Sequence, residues 1–243
     1  MNLSRFRIIR SLLPALTLVA AGAALVPANA ADPLAGAPAA GTCYDLTIAQ
    51  VDKPSASEDT VACTKQHTIW VTGSVALPDG VPADSSKQAY VNYATTTCQD
   101  LRRSSIGDDD LQYAESAYTI TFFLPTQAQR ADGARWVSCG VMLVKGGSNV
   151  RSARETPRPL ADPMPDAIEL CQDSQFRTTP CTTDHKYRVT YATTLTGKST
   201  YANWQKAAAK TCPSKVKTNR WSWSAKRLGP NSSVLACLNK NAK

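Results

Sequence analysis

The chain has 243 residues, 43% of them hydrophobic, and a formal net charge of +8. Less a leader of 30 residues, that length is long for one disulfide-stapled module and comfortable for two, each burying a modest core. The charge is uneven: residues 31–150 hold 8 basic and 13 acidic side chains, a net of −5, whereas residues 151–243 hold 16 and 6, a net of +10. No acidic residue follows Asp184, which points to an acidic partner.

Arg5, Arg7 and Arg10 precede an apolar run from Leu12 to Val26, and Ala-Asn-Ala closes it at residues 28–30. This pattern predicts a secretory signal peptide over residues 1–30, cut after Ala30. The run is short for a membrane span and has no basic anchor after it. The mature protein is therefore expected to be secreted. Eight cysteines follow: Cys43, Cys63, Cys98, Cys139, Cys171, Cys181, Cys212 and Cys237. An even count in an exported chain means disulfides before metal.

Residues 31–41, "ADPLAGAPAAG", read as a flexible lead-in. A first unit is predicted over 42–144. It contains Cys63-Thr-Lys-Gln-His67 and then a strand in which Ile69, Val71 and Val75 alternate. A helix follows over 84–103, with Asp84, Ser85 and Ser86 as caps and with Tyr90, Tyr93, Thr97 and Leu101 on one face. A hairpin turning at residues 131–134 ends on Cys139. Residues 145–167, rich in Pro and Gly, read as a linker.

A second, basic unit is predicted over 168–243. It repeats the order: Cys181-Thr-Thr-Asp-His185, a strand with Tyr187, Val189 and Tyr191, then a helix over 198–212 capped by Ser199 or Thr200. Tyr201, Trp204, Ala208 and Thr211 share one face of that helix. A hairpin through 228–231 ends on Cys237. Two histidines, each four residues after a cysteine, mark an internal repeat. The expected fold class is α+β, a tandem duplication in which each unit is a small antiparallel sheet with one packed helix and two disulfides. Three connectivities are open in each half. A helix packed on a sheet favours pairing first with second and third with fourth.

His67 and His185 lack zinc spacing and a free-thiol partner, so they read as structural residues that bond backbone near the second cysteine. No serine elbow, HExxH or phosphate loop occurs. No catalytic residue, cofactor or metal is therefore expected. The exception weighed is a wall-hydrolase reading in which the carboxylates of "GDDD", Asp109 and Asp110 among them, do acid–base work.

The segments Gly41-Thr-Cys43, "VACTKQH" and "LPTQAQRADGARWVSC" resemble the septum-formation domain of exported and membrane-anchored actinobacterial proteins. The resemblance rests on Gly41, Cys43, Cys63, His67, Cys98, Pro125, Gly133, Arg135 and Cys139. The second half keeps its cysteines, His185 and Trp204 but lacks the Gly-x-Arg segment before Cys237. The resemblance implies a non-catalytic role at the cell envelope, linked to septation. For binding, the second half offers Lys206, Lys210, Lys215, Lys217 and Arg220 beside Trp221 and Trp223. Cations next to aromatics suit an anionic cell-wall polymer or membrane surface. A septal envelope protein is the other partner class, and export argues against nucleic acid. The opposite charges of the halves also allow head-to-tail association.

Overall fold

The computed structural model describes residues 32–152, 154–216 and 218–240. The expected signal peptide, Lys217 and Lys243 lie outside them. Residues 31–243 form one compact unit, α+β in class.

The chain runs β1 (Cys43–Tyr44), α1 (Ile48–Val51), β2 (Ile69–Ala76), α2 (Gln88–Ile106), α3 (Asp110–Ala114), β3 (Tyr118–Phe123), α4 (Gln127–Ala131), β4 (Trp136–Lys145) and β5 (Ser148–Asn149). It continues with β6 (Leu170–Gln172), β7 (Thr178–Pro180), β8 (Tyr187–Thr196), α5 (Tyr201–Lys215), β9 (Trp221–Gly229) and β10 (Ser232–Lys240). Every strand pairing is antiparallel. The first sheet has the order β1-β2-β4-β3, with β5 on β4. The second has the order β7-β6-β8-β10-β9. Within these, β1-β2-β4-β3 and β6-β8-β10-β9 are the same path.

The likeness extends to detail. The bridges are Cys43–Cys63, Cys98–Cys139, Cys171–Cys181 and Cys212–Cys237. In each half one disulfide ties the first strand to the loop before the histidine, and one ties the helix to the last strand. The pairing register slips between Val71 and Gly73 in β2, and between Val189 and Tyr191 in β8. Both bulges fall five residues after a histidine, at Thr72 and Thr190. Each bulge reverses the side-chain parity of its strand. Sequence alternation put Ile69, Val71 and Val75 on one face. In the structure Ile69 and Val71 pack with Tyr44 and Phe123, and Val75 packs beneath α2. Likewise Tyr187 and Val189 face the first half, and Tyr191 lies under α5.

Several sequence expectations are corrected. Helix α2 starts at Gln88, not at 84, because Asp84 accepts the Ser86 amide in a local turn instead of capping the helix. The β3–β4 connection is not a tight hairpin: α4 sits in it, capped by Thr126. From residue 32 on, the lead-in is bonded to the first half at several points. Pro33 O accepts from Arg135 N, Ala35 O from Trp136 Nε1 and Pro38 O from Ser74 Oγ. The 145–167 segment is bonded too: His67 and Ser152 exchange both backbone hydrogen bonds, and Leu160 N donates to Ile106 O.

The halves share a core. Ile106, Tyr113, Tyr118 and Val141 pack with Ile168, Val189, Leu228, Val234 and Leu238 in one buried cluster. Helix α2 lies between the sheets. Its Tyr90–Ala94–Cys98 face packs on the first sheet, while Thr95, Gln99, Arg102 and Ile106 are also buried. Gln99 Nε2 donates to Arg227 O at 2.7 Å. Arg102, with 0% exposure, donates to Gln99 Oε1, Gly107 O and Asp110 Oδ1. Its guanidinium lies 4.3 Å from the Tyr113 ring centroid, and the Lys226 ammonium lies 4.2 Å from the same ring. Lys226 also donates to the backbone oxygens of Tyr113 and Ser116. Burial, and then the Arg102 charge, push its ammonium well below the ordinary lysine value.

Candidate functional site

The two histidines do the same local work. His67 Nδ1 bonds Lys65 O at 2.9 Å, and His185 Nδ1 bonds Thr183 O at 2.8 Å. Each imidazole thereby closes the turn between the second cysteine of its half and the long strand. Cys171, Cys181 and His185 bring their sulfur and nitrogen atoms within 4.8 Å. Both sulfurs are in a disulfide, so they offer no thiolate to a metal.

Two of the three "GDDD" carboxylates, Asp109 and Asp110, are engaged in the fold. Asp109 caps α3 by accepting the amides of Leu111 and Gln112. Asp110 pairs with Arg102 at 2.5 Å and with Arg103 at 2.9 Å. Burial alone would raise the Asp110 carboxyl, but hydrogen bonds from Arg103 and Arg102 outweigh it and hold the group below its ordinary value.

The basic second half presents several of its cations outward. Helix α5 runs from a Thr200 cap to Lys215. At about 100° per residue, Lys206 and Lys210 stand roughly 140° and 180° away from Tyr201. Both are exposed, as are Lys215 and Arg220. Asp166 and Glu169 pair with Arg188, and Asp173 pairs with Arg177. Among the described residues this leaves Lys206, Lys210, Lys215 and Arg220 with no ion pair. The Lys215 ammonium lies 5.0 Å from the Tyr191 ring centroid.

Trp221 and Trp223 do not stand on that cationic face. They alternate with Ser222 along the edge strand β9 and pack, half-buried, against Ala208, Cys212 and Cys237 beneath α5. Their outer surfaces line a concavity of about 620 Å³ together with Phe176, Tyr201 and Trp204. Tyr201 is 65% exposed and Phe176 56%. The Tyr201 and Trp223 centroids are 5.5 Å apart. Phe176 holds a φ of 61°, unusual for a bulky residue, in a loop where Asp173 accepts the amides of Gln175 and Arg177. Gln172 closes the groove floor: its amide donates to Trp223 O and its oxygen accepts from Ser222 Oγ. The sheet thus curls until β6 meets β9. Phe176 and Gln172 lie some 30 to 50 residues before the tryptophans, and nothing in their spacing marks them as groove residues.

A second concavity, of about 490 Å³, opens between the halves and the 145–167 segment. Its wall includes Trp70, Tyr118, Val141 and Leu143 from the first sheet and Ile168 and Pro180 from the second half.

These features describe a disulfide-bonded α+β protein built of two like-ordered sheets, suited to an oxidising compartment outside the cytoplasm. No helix among the described residues is long and apolar enough to cross a membrane. The septum-formation family, which the sequence resembles, is matched by a family model over residues 112–219. That match begins in α3 and ends just before β9, so it covers the β3–β4 pair, the 145–167 segment and the cysteines from Cys139 to Cys212. No curated protein and no solved structure matches the chain.

Proposed function

We propose that the protein is a non-catalytic, secreted cell-envelope module, formed by tandem duplication and related to septation, that binds an anionic wall polymer through its second half. The septum-formation match supports the setting. The common strand path and the equivalent bulges support duplication. The observation that carries the binding reading is the set of exposed cations, Lys206, Lys210, Lys215 and Arg220, that have no ion pair among the described residues, on a half that has no acid after Asp184.

The aromatic groove favours a glycan polymer over a bare membrane surface. Aromatic faces carry negative potential and accept the C–H edges of sugar rings, and grooves lined by aromatics with a few polar groups are common ligand sites. The cations would hold the chain by its acidic groups, and the groove would seat a sugar.

Cosedimentation of residues 31–243 with purified cell wall across a salt series tests this reading. Retention should fall as salt rises and be lost in Lys206→Gln/Lys210→Gln/Lys215→Gln/Arg220→Gln. Tyr201→Ala should weaken it several-fold at constant salt. Retention unaffected by the four neutral substitutions would remove this surface from consideration.

A further inference from the structure

We infer that the concavity between the halves is a binding site for a small amphiphilic anion, with an apolar body in the pit and a phosphate or carboxylate head at the rim. This inference stands apart from the wall-binding reading, since it uses neither α5 nor the aromatic groove.

The pit is apolar. Trp70, Tyr118, Val141, Leu143 and Ile168 line it, and all five belong to the shared core or pack against it. Its volume of about 490 Å³ falls within the range of roughly 300–1,000 Å³ found for small-molecule sites. The rim is cationic. Lys145, Arg151, Arg154 and Arg158 line it, and no Asp or Glu does. All four are exposed. Arg151 pairs with Asp45 at 2.9 Å. Lys145, Arg154 and Arg158 have no ion pair among the described residues. Three cations without an ion pair thus stand around one cavity that no carboxylate lines. An arginine presents planar donors that match a carboxylate or phosphate.

The rim is also held in place. Tyr118 Oη accepts from Arg158 N at 2.9 Å and donates to Arg158 O. Burial raises the Tyr118 hydroxyl to about 12 despite the Arg158 backbone bond, so it stays protonated as that donor at neutral pH. The two backbone bonds between His67 and Ser152 anchor the chain two residues before Arg154. On the far side Thr182 and Thr183 of the second half close the opening. The cavity therefore exists only where both halves and the connecting segment meet.

The test is calorimetric titration of residues 31–243 with octyl phosphate and with octanoate, using inorganic phosphate and octyltrimethylammonium as controls. One of the two octyl anions should bind saturably at 1:1, and the tighter of them identifies the head group. Arg154→Gln/Arg158→Gln, which alters exposed side chains only, should weaken binding about tenfold or more. Ala167→Phe, which fills the pit, should abolish it. The Lys206→Gln/Lys210→Gln/Lys215→Gln/Arg220→Gln protein should bind unchanged, which separates this site from the wall surface. The inference is overturned by an absence of saturable binding, by binding indifferent to Arg154→Gln/Arg158→Gln, by equal affinity for octyltrimethylammonium, or by inorganic phosphate binding as tightly as octyl phosphate.

Discussion

Arg102 is the residue on which most of the polar seam converges. It is fully buried, and its donors satisfy Gln99, the Gly107 carbonyl and Asp110. Removing one partner of a buried pair leaves the other charge uncompensated. Arg103 keeps a hold on Asp110, so Arg102→Met should cost about 3 kcal/mol, the low end for such breaks, read by urea unfolding. Arg102→Lys should recover little, because an ammonium cannot reproduce the planar fork. Asp110 supplies the matching pH dependence. Its folded-state pKa lies below the ordinary 3.8, so its contribution is fully present above pH 3.8 and is lost as pH falls through the folded value. Asp110→Asn should lower stability at pH 7 and flatten the acid limb below pH 4. An unchanged acid limb would mean that other carboxylates carry it.

At the scale of elements, the disulfides divide by what they tie together. Cys98–Cys139 closes a separation of 41 residues, and Cys171–Cys181 one of 10. Chain-entropy arguments assign about 4 kcal/mol to the first and about 3 kcal/mol to the second. Cys98→Ser/Cys139→Ser should therefore be the more destabilising double substitution in denaturant titration. The reverse order would show that strain or residual structure decides instead. The strand-then-helix order of each half, the two long helices and the strand-to-helix logic of the cysteines are legible in the sequence, because alternation and caps are local signals. The bulges at Thr72 and Thr190 are not, because one inserted residue reverses a face without changing composition. The second buried face of α2 is also hidden. Thr95, Gln99 and Arg102 are polar, with no apolar periodicity to mark a buried face, and the Arg227 carbonyl that Gln99 bonds is 128 residues away. For the site, the sequence puts the cations and the tryptophans in one neighbourhood. Helix rotation and strand edge then separate them into an outward cationic face and an aromatic groove.

For the whole molecule, the main consequence is that two like-ordered sheets make one body. Proline and glycine in 145–167 suggest a spacer, but the segment is stitched to both halves, and the core on which it lies draws residues from each. That interface is invisible to sequence reading, because each half by itself shows a complete pattern of strands, helix and cysteines. It also decides where ligands can go, since the cavity beneath Tyr118 needs both halves. The most direct test of this union is scanning calorimetry of residues 31–243 with disulfides intact, for the wild-type chain and for Arg102→Met. A shared core predicts a single transition whose calorimetric and van't Hoff enthalpies agree, moved as a whole to lower temperature by the substitution. Two resolved transitions, with Arg102→Met shifting only one, would contradict the account and make the halves independent domains.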